Sequence, residues 1–106
     1  MQRFAVREND RIRFVPVGDV EWIQADGNYV VLHAGTARHR LRESLRGLVQ
    51  RLDAAQFAQV HRSAIVNLAH VRELQAWFGG DYIAVMRNGE EIRVSRTYAP
   101  RMLRTS

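Results

Sequence analysis

Residues 60–67 read Val-His-Arg-Ser-Ala-Ile-Val-Asn, which is an apolar strand pattern interrupted by three polar residues. Residues 92–98 read Ile-Arg-Val-Ser-Arg-Thr-Tyr and show a similar pattern, in which polar residues follow an alternating strand pattern. Both segments put an arginine beside a serine at the point where a strand ends. An arginine held on a strand end can donate two parallel hydrogen bonds to a phosphate or to the O6/N7 edge of guanine. The two segments therefore point towards DNA.

The composition bounds the class of protein. The chain has 106 residues, 46% of them apolar, which suits a single domain over residues 1–106 with a hydrophobic core. It contains no cysteine, so disulfides and thiolate metal sites are excluded. It has neither the long apolar run of a membrane span nor the apolar stretch of a signal peptide. We expect a cytoplasmic location.

The charge is basic and unevenly distributed. The formal net charge is +5, and every one of the 16 basic residues is arginine. Arginines are concentrated in residues 38–46 and 92–106, where acidic residues are nearly absent. Clustered arginine suits a polyanionic partner. A genome rich in G and C would also explain why the chain uses arginine and no lysine. A basic face can also be merely solvated, so charge alone assigns no function.

The apolar patterning predicts a mainly β domain of about eight to ten short, mostly antiparallel strands. Alternating or β-branched runs predict strands at residues 4–7, 12–17, 20–25, 29–34, 38–42, 60–68, 71–78, 82–86 and 91–94. Residues 26–28, Asp-Gly-Asn, break one strand pair, and Asn88-Gly89 gives the strongest short hairpin signal. Arg38, Arg40 and Arg42 alternate along one strand and give it a basic face.

One helix is predicted over residues 44–52. Leu45, Leu48, Val49 and Leu52 recur at helical spacing, and Ser44 is placed to cap the start. A last short helix over residues 97–104 is allowed, with Thr97 as its cap and Pro100 in its first turn.

Four aromatic residues are interpreted as core or sheet packing rather than as base-stacking platforms: Trp22, Phe57, Trp77 and Tyr82. They are not interleaved with arginine on one strand face, as an RNA-binding sheet would require.

The order of these landmarks over residues 20–102 resembles the LytTR family of bacterial DNA-binding domains. The matching segments are a strand and broken turn at 20–30, the start of a helix at 41–45, and the two Arg-Ser segments at 57–67 and 88–98. The resemblance implies a small, mostly β domain that regulates transcription. It implies that loops and strand ends, rather than a recognition helix, enter two successive major grooves and the minor groove between them.

The resemblance assigns base contacts to three residues. Asn28 would enter the first major groove, where an asparagine can pair with adenine, although the segment around it can also be only a turn. Arg62 would lie in or beside the minor groove, whose negative potential favours a guanidinium. Arg96 would read guanine in the second major groove, the alternative being a stem that covers the core edge.

The resemblance and the charge pattern also predict backbone or flanking contacts from Arg38, Arg40, His61, Ser63, Ser95, Thr97 and Arg101. His61 can equally be a hydrogen-bonded structural residue. Asn67 is interpreted as structural, holding the turn that follows its strand.

The expected partner is double-stranded DNA with repeated sites, bound by two copies of a domain that is monomeric when free. We expect the chain to belong to a longer parent protein with an N-terminal receiver or sensor domain, the alternative being a stand-alone regulator that receives its signal in another way. The alternatives are a basic β module that binds RNA or single strands and a protein-interaction domain. No enzyme, cofactor or metal is predicted, because the histidines lack metal-ligand spacing and no phosphate loop or nucleophile elbow appears.

Overall fold

The computed structural model describes residues 1–104 as a mainly β domain with two short helices. The strands are β1 (Arg3–Glu8), β2 (Arg11–Pro16), β3 (Trp22–Asp26), β4 (Tyr29–Ala34), β5 (Ala37–Leu41), β6 (Phe57–His61), β7 (Ala64–Asn67), β8 (Val71–Ala76), β9 (Tyr82–Met86) and β10 (Glu91–Val94). The helices are α1 (Leu45–Arg51) and α2 (Ala99–Met102). The domain predicted to end at residue 106 therefore has its last two positions outside the described residues.

The strands form three antiparallel sheets, which confirms the predicted fold class. The largest has five strands in the order β5-β4-β3-β7-β6. A second has three strands in the order β10-β9-β8, and β1 pairs only with β2. Residues 1–104 contain no helix long and apolar enough to cross a membrane.

The five-stranded sheet is covered on both faces, which explains why its inner strand β7 is buried at every position. Ile65 and the opposite Ile23 join one core, with apolar residues from β1, β2 and α1. Val66 and the opposite Trp22 join a second core, with residues from β9, β10 and α2. Successive side chains of a strand point to opposite faces, so neighbouring residues of β7 serve two different cores.

Asn67, at the end of β7, is fully buried and acts as a structural residue. Its Nδ2 donates to the carbonyl of Val20 at 3.0 Å, and its Oδ1 accepts from the amide of Ala69 at 3.1 Å. The side chain thus links two chain segments that are distant in sequence, which confirms the structural interpretation.

The predicted first helix is confirmed, with one correction. The Ser44 hydroxyl accepts from the amide of Gly47 at 2.9 Å and caps α1. Leu45, Leu48 and Leu52 are buried, but Val49 is exposed. The prediction that Val49 belongs to the apolar face is wrong, because the short helix covers the sheet with a narrower stripe.

Two other strand predictions need correction. Residues 60–68 are not one strand, since Arg62 and Ser63 form a tight turn between β6 and β7. The strand predicted to reach residue 78 ends at Ala76. Trp77 is then 55% exposed, so its assignment to packing is wrong, whereas Phe57 is buried and Trp22 and Tyr82 pack against the second core.

Helix α2 begins later than predicted. Its N-cap is Tyr98, which makes no side-chain capping bond, and Pro100 lies in the first turn as expected. The prediction of a Thr97 cap is wrong because Ser95 closes this turn instead. The Ser95 carbonyl accepts from the amides of Tyr98 and Ala99 at 2.8 and 2.9 Å.

Candidate nucleic-acid interface

The β3–β4 turn and the β6–β7 turn lie at the same end of the strands of the five-stranded sheet, at the C-terminal end of β3. Because β3 pairs antiparallel with both β4 and β7, the C-terminal end of β3 meets the N-terminal end of β7. The amide of Ala25 donates to the carbonyl of Ser63 at 2.9 Å and joins the two turns. Asn28 and Arg62, both exposed, therefore lie on neighbouring projections.

The end of β10 lies beside the same end of these strands. The amide of Ser95 donates to the carbonyl of Val60 at 2.8 Å, which places the end of β10 beside the end of β6. The two Arg-Ser segments are thus adjacent. A cleft between them is lined by His61, Arg62 and Ser63 from one segment and by Arg93, Ser95 and Tyr98 from the other. We call the surface formed by residues 27–28, 62–63 and 95–97 the projecting edge.

Residues 27–28, 62–63 and 95–97 are, in this order, the first, second and third projections of this surface, and Arg40 flanks the first. Its guanidinium lies over the Tyr29 ring, 4.5 Å from the centroid, and 3.5 Å from the Asp26 carboxylate. Asp26 and Tyr29 pair across the two-residue turn that carries Asn28. The arginine is therefore held beside Asn28 by an aromatic face and a carboxylate, with its side chain exposed to solvent.

His61 holds the second projection in shape. Its Nδ1 accepts from the amide of Ser63 at 3.0 Å, so the neutral ring closes the turn that presents Arg62. Burial lowers the pKa of His61, and the charges of Arg93 and Arg62 lower it further. All three causes, and the bond accepted by the ring nitrogen, favour the neutral form.

Asp81 supports the third projection, and sequence reasoning missed this role. Its Oδ1 accepts from the amide of Arg96 at 2.8 Å, and its Oδ2 accepts from the Arg93 guanidinium at 2.6 Å. These contacts, led by the Arg96 amide, lower the pKa of Asp81. Asp81 thereby fixes the backbone from which the exposed Arg96 side chain projects. Only the pairing of Tyr82 with Val94, which is not visible in the sequence, could have placed it there.

Ser95 and Thr97 border Arg96 as expected, but their atoms also organise the turn. The Ser95 hydroxyl lies 3.4 Å from the amide of Thr97, which donates to it. Thr97 itself is exposed. Both hydroxyl groups belong to the projecting edge.

Two of the arginines in the predicted contact set are not brought to this edge. Arg38 donates to the carbonyls of Gly35 and Ala37 at 2.9 and 2.8 Å, in the β4–β5 turn at the other end of the strands. Arg101 donates to the carbonyls of Ala54 and Phe57, at the loop between α1 and β6. Both guanidinium groups hold chain turns in the free domain. Within residues 1–104, no cluster of three or more His, Cys, Asp or Glu side chains could hold a metal ion.

Acid is expected to destabilise the domain partly through His61. Its pKa is lowered in the folded state, so the unfolded chain takes up the proton first and stability falls as the pH drops below about 6.5. His33, whose pKa is lowered mainly by burial, acts in the same direction. Urea unfolding between about pH 7.5 and 5.5 measures the effect.

The matched variant is His61→Asn, because an asparagine oxygen can accept the same amide two residues on without titrating. We expect its stability to depend less steeply on pH than that of the unchanged domain, with His33 supplying what remains. The same slope in both proteins would contradict a titrating role for His61.

Comparison with known proteins agrees with this architecture. The LytTr DNA-binding domain family matches residues 10–105. The transcriptional regulatory protein LytR of Staphylococcus aureus (strain MW2) is 28% identical over 97 residues, covering 92% of this chain and 39% of that protein. The sensory transduction protein LytT of Bacillus anthracis is 31% identical over 99 residues, covering 93% and 40%. The chain thus spans about two fifths of these relatives.

A solved structure carries the same fold. A structure described as the LytTr DNA-binding domain of a putative methyl-accepting/DNA response regulator from Bacillus cereus superposes with a TM-score of 0.85 at 25% identity, covering 94% of this chain and 92% of that one. The family is a DNA-binding module of transcription regulators and not an enzyme. Sequence match and three-dimensional match cover nearly the whole chain, and the chain therefore belongs to the LytTr DNA-binding domain family.

Proposed function

We propose that the domain binds double-stranded DNA sequence-specifically through the projecting edge and serves as the output module of a bacterial transcription regulator. The observation that carries this proposal is the convergence of three exposed polar projections, distant in sequence, on one edge of the fold. Family membership supports DNA as the partner. The dense arginine content supplies the charge that duplex DNA attracts.

The three projections divide between grooves in this proposal. Asn28 pairs with adenine in one major groove, and Arg96 donates two hydrogen bonds to guanine in the next. Arg62, on the turn between them, enters the intervening minor groove, where the negative potential attracts arginine. The support is geometric. The carbonyl of Ser63, in the turn that carries Arg62, accepts from the amide of Ala25, near Asn28. The carbonyl of Val60, just before that turn, accepts from the amide of Ser95, next to Arg96.

Phosphate contacts fix the position of the domain on the duplex without reading bases. Arg40, Ser63, Ser95 and Thr97 are suited to this role by their place on or beside the projecting edge. His61 acts through the turn that it closes. For Arg38 and Arg101, a phosphate contact requires the guanidinium to exchange its carbonyl partners for phosphate oxygens.

Two copies on repeated sites, about one helical turn apart, supply tight binding in this proposal. Each copy offers only three short projections, so one copy alone binds modestly, and the free domain is monomeric. We also propose that the domain acts in the cytoplasm within a longer parent chain that carries a receiver or sensor domain. The greater length of the curated relatives supports the longer parent.

Replacing Arg96 with alanine is expected to weaken binding to the preferred duplex by about 1–3 kcal/mol and to relax the preference at one base pair. The reason is that a bidentate contact to guanine is lost while the projecting backbone, held by Asp81, stays in place. Selection from a random duplex library at physiological salt measures this, first with the unchanged domain to obtain the operator and then with the variant.

Arg72→Ala is the matched control, because Arg72 is an exposed arginine at the other end of the three-stranded sheet, paired with Glu73. It should recover the same operator with full preference. An Arg96→Ala variant that keeps the preference at every position would refute base reading by Arg96. A folded domain that enriches no duplex would instead favour single-stranded nucleic acid or a protein as the partner.

A further inference from the structure

An exposed aromatic pair borders the projecting edge and has no role in the function proposed so far. Trp77 is 55% exposed and Phe78 is 78% exposed, and their rings meet edge to face with centroids 5.1 Å apart. Contiguous exposed apolar surface is a mark of binding sites, whereas apolar residues that are exposed singly need no explanation. The pair lies in the connection between β8 and β9, in which residues 77–80 are uncharged and Asp81 follows them.

The loop is rigidly built and joined to Arg96. The amide of Trp77 donates to the carbonyl of Asp81, and the amide of Asp81 donates back to the carbonyl of Phe78 at 3.1 Å. Gly80 has φ +89°, and a Cβ placed on it would lie 3.5 Å from the Cβ of Arg96. Since the Asp81 carboxylate also accepts from the Arg96 amide, the aromatic loop and Arg96 form one unit.

The chemistry of the major groove suggests what this loop contacts. An arginine there finds the acceptors of guanine, and the apolar group exposed on base edges is the C5-methyl of thymine. We propose that loop 77–80 packs Phe78 against a thymine methyl group on the base pair next to the one read by Arg96. This inference rests on the proposed function, because it takes Arg96 to lie in a major groove.

A protein surface is the competing occupant of an exposed aromatic pair, and two observations favour DNA. The loop is fixed to the same backbone that presents Arg96, so DNA that reaches Arg96 also comes close to Phe78. The exposed Arg93 and Arg96 also lie close by, and because the two arginines face the single carboxylate of Asp81, the net charge beside the loop is positive, which suits a phosphate backbone. The consequence is a fixed preference for an A·T pair next to the Arg96 position of the operator.

The test uses the operator recovered by selection and measures affinity by fluorescence anisotropy. Phe78→Ala is expected to bind it about tenfold more weakly, by loss of part of a phenylalanine burial. Replacing the thymine next to the Arg96 position with deoxyuridine removes only the methyl group. That replacement is expected to weaken the unchanged domain about fourfold and to leave Phe78→Ala unaffected.

Phe14→Ala is the matched control, since Phe14 is 52% exposed on β2, a strand outside both larger sheets. It should bind as the unchanged domain does. Normal binding by Phe78→Ala, or equal sensitivity to deoxyuridine in both proteins, would overturn the inference. So would a loss confined to tandem sites, which would assign the loop to contacts between copies. If Arg96→Ala still loses its preference in those cases, the proposed function stands, whereas a domain that selects no duplex overturns both.

Discussion

Raising the salt concentration from about 50 to about 200 mM is expected to weaken DNA binding by this domain about a thousandfold. Four exposed arginines lie on or beside the projecting edge: Arg40, Arg62, Arg93 and Arg96. Arg42, whose guanidinium lies 5.8 Å from the centroid of the Tyr29 ring, adds a fifth cation, so about five phosphates are expected to be neutralised. Each contact releases condensed counterions, so the logarithm of the binding constant should fall with the logarithm of salt at a slope near −5.

The slope can be assigned to the projecting edge by single substitutions. Arg62→Gln should make the slope less steep by about one unit, because the domain loses one cation that neutralises a nearby phosphate. Arg72→Gln removes the same charge at the other end of the three-stranded sheet and should leave the slope unchanged. A nearly flat salt dependence for the unchanged domain would contradict DNA binding and favour a protein partner.

Asn67→Ala is expected to lower the free energy of unfolding by about 2–4 kcal/mol, a large part of the stability of a small domain. The substitution leaves the buried carbonyl of Val20 without its partner and removes the acceptor of the Ala69 amide. A carbonyl left unsatisfied in the interior cannot recover its bond from water. Urea unfolding of both proteins measures the difference.

Asn28→Ala is the matched control because Asn28 is an exposed asparagine on a turn. Its stability should stay within about 0.5 kcal/mol of the unchanged domain, while its DNA affinity falls. Asn67→Ala, measured at a temperature where it stays folded, should show the opposite pattern. Normal stability with lost DNA affinity in Asn67→Ala would contradict the structural role assigned to this residue.

The sequence predicted the hairpin of β9 and β10 well, because Asn88-Gly89 marks its turn and one face of β10 is exposed. Strands β9 and β10 have the predicted bounds, because the turn at residues 87–90 and the alternation of β10 identify them together. Residues 57–67 were harder. Both faces of β7 are buried, so the apolar pattern runs across a two-residue turn and resembles one interrupted strand.

The candidate site could be predicted residue by residue but not as an arrangement. Arg62 and Arg96 stand out because each follows a strand pattern that ends in polar residues. The role of Asp81 and the exposure of Trp77 depend on strand register and on glycine turns that bring distant residues together. The carbonyl partners of Arg101 lie more than forty residues earlier in the chain, so local sequence could not indicate them.

The three projections are fastened to one another by main-chain bonds, from Ala25 to Ser63 and from Ser95 to Val60. None of these bonds uses the side chain of Asn28, Arg62 or Arg96. The backbone therefore tolerates a substitution at any one of these three positions without a change in its conformation. Within a family of regulators, the operator and the domain can therefore diverge by single substitutions. Each new pairing of a side chain with a base arises on a domain that still folds.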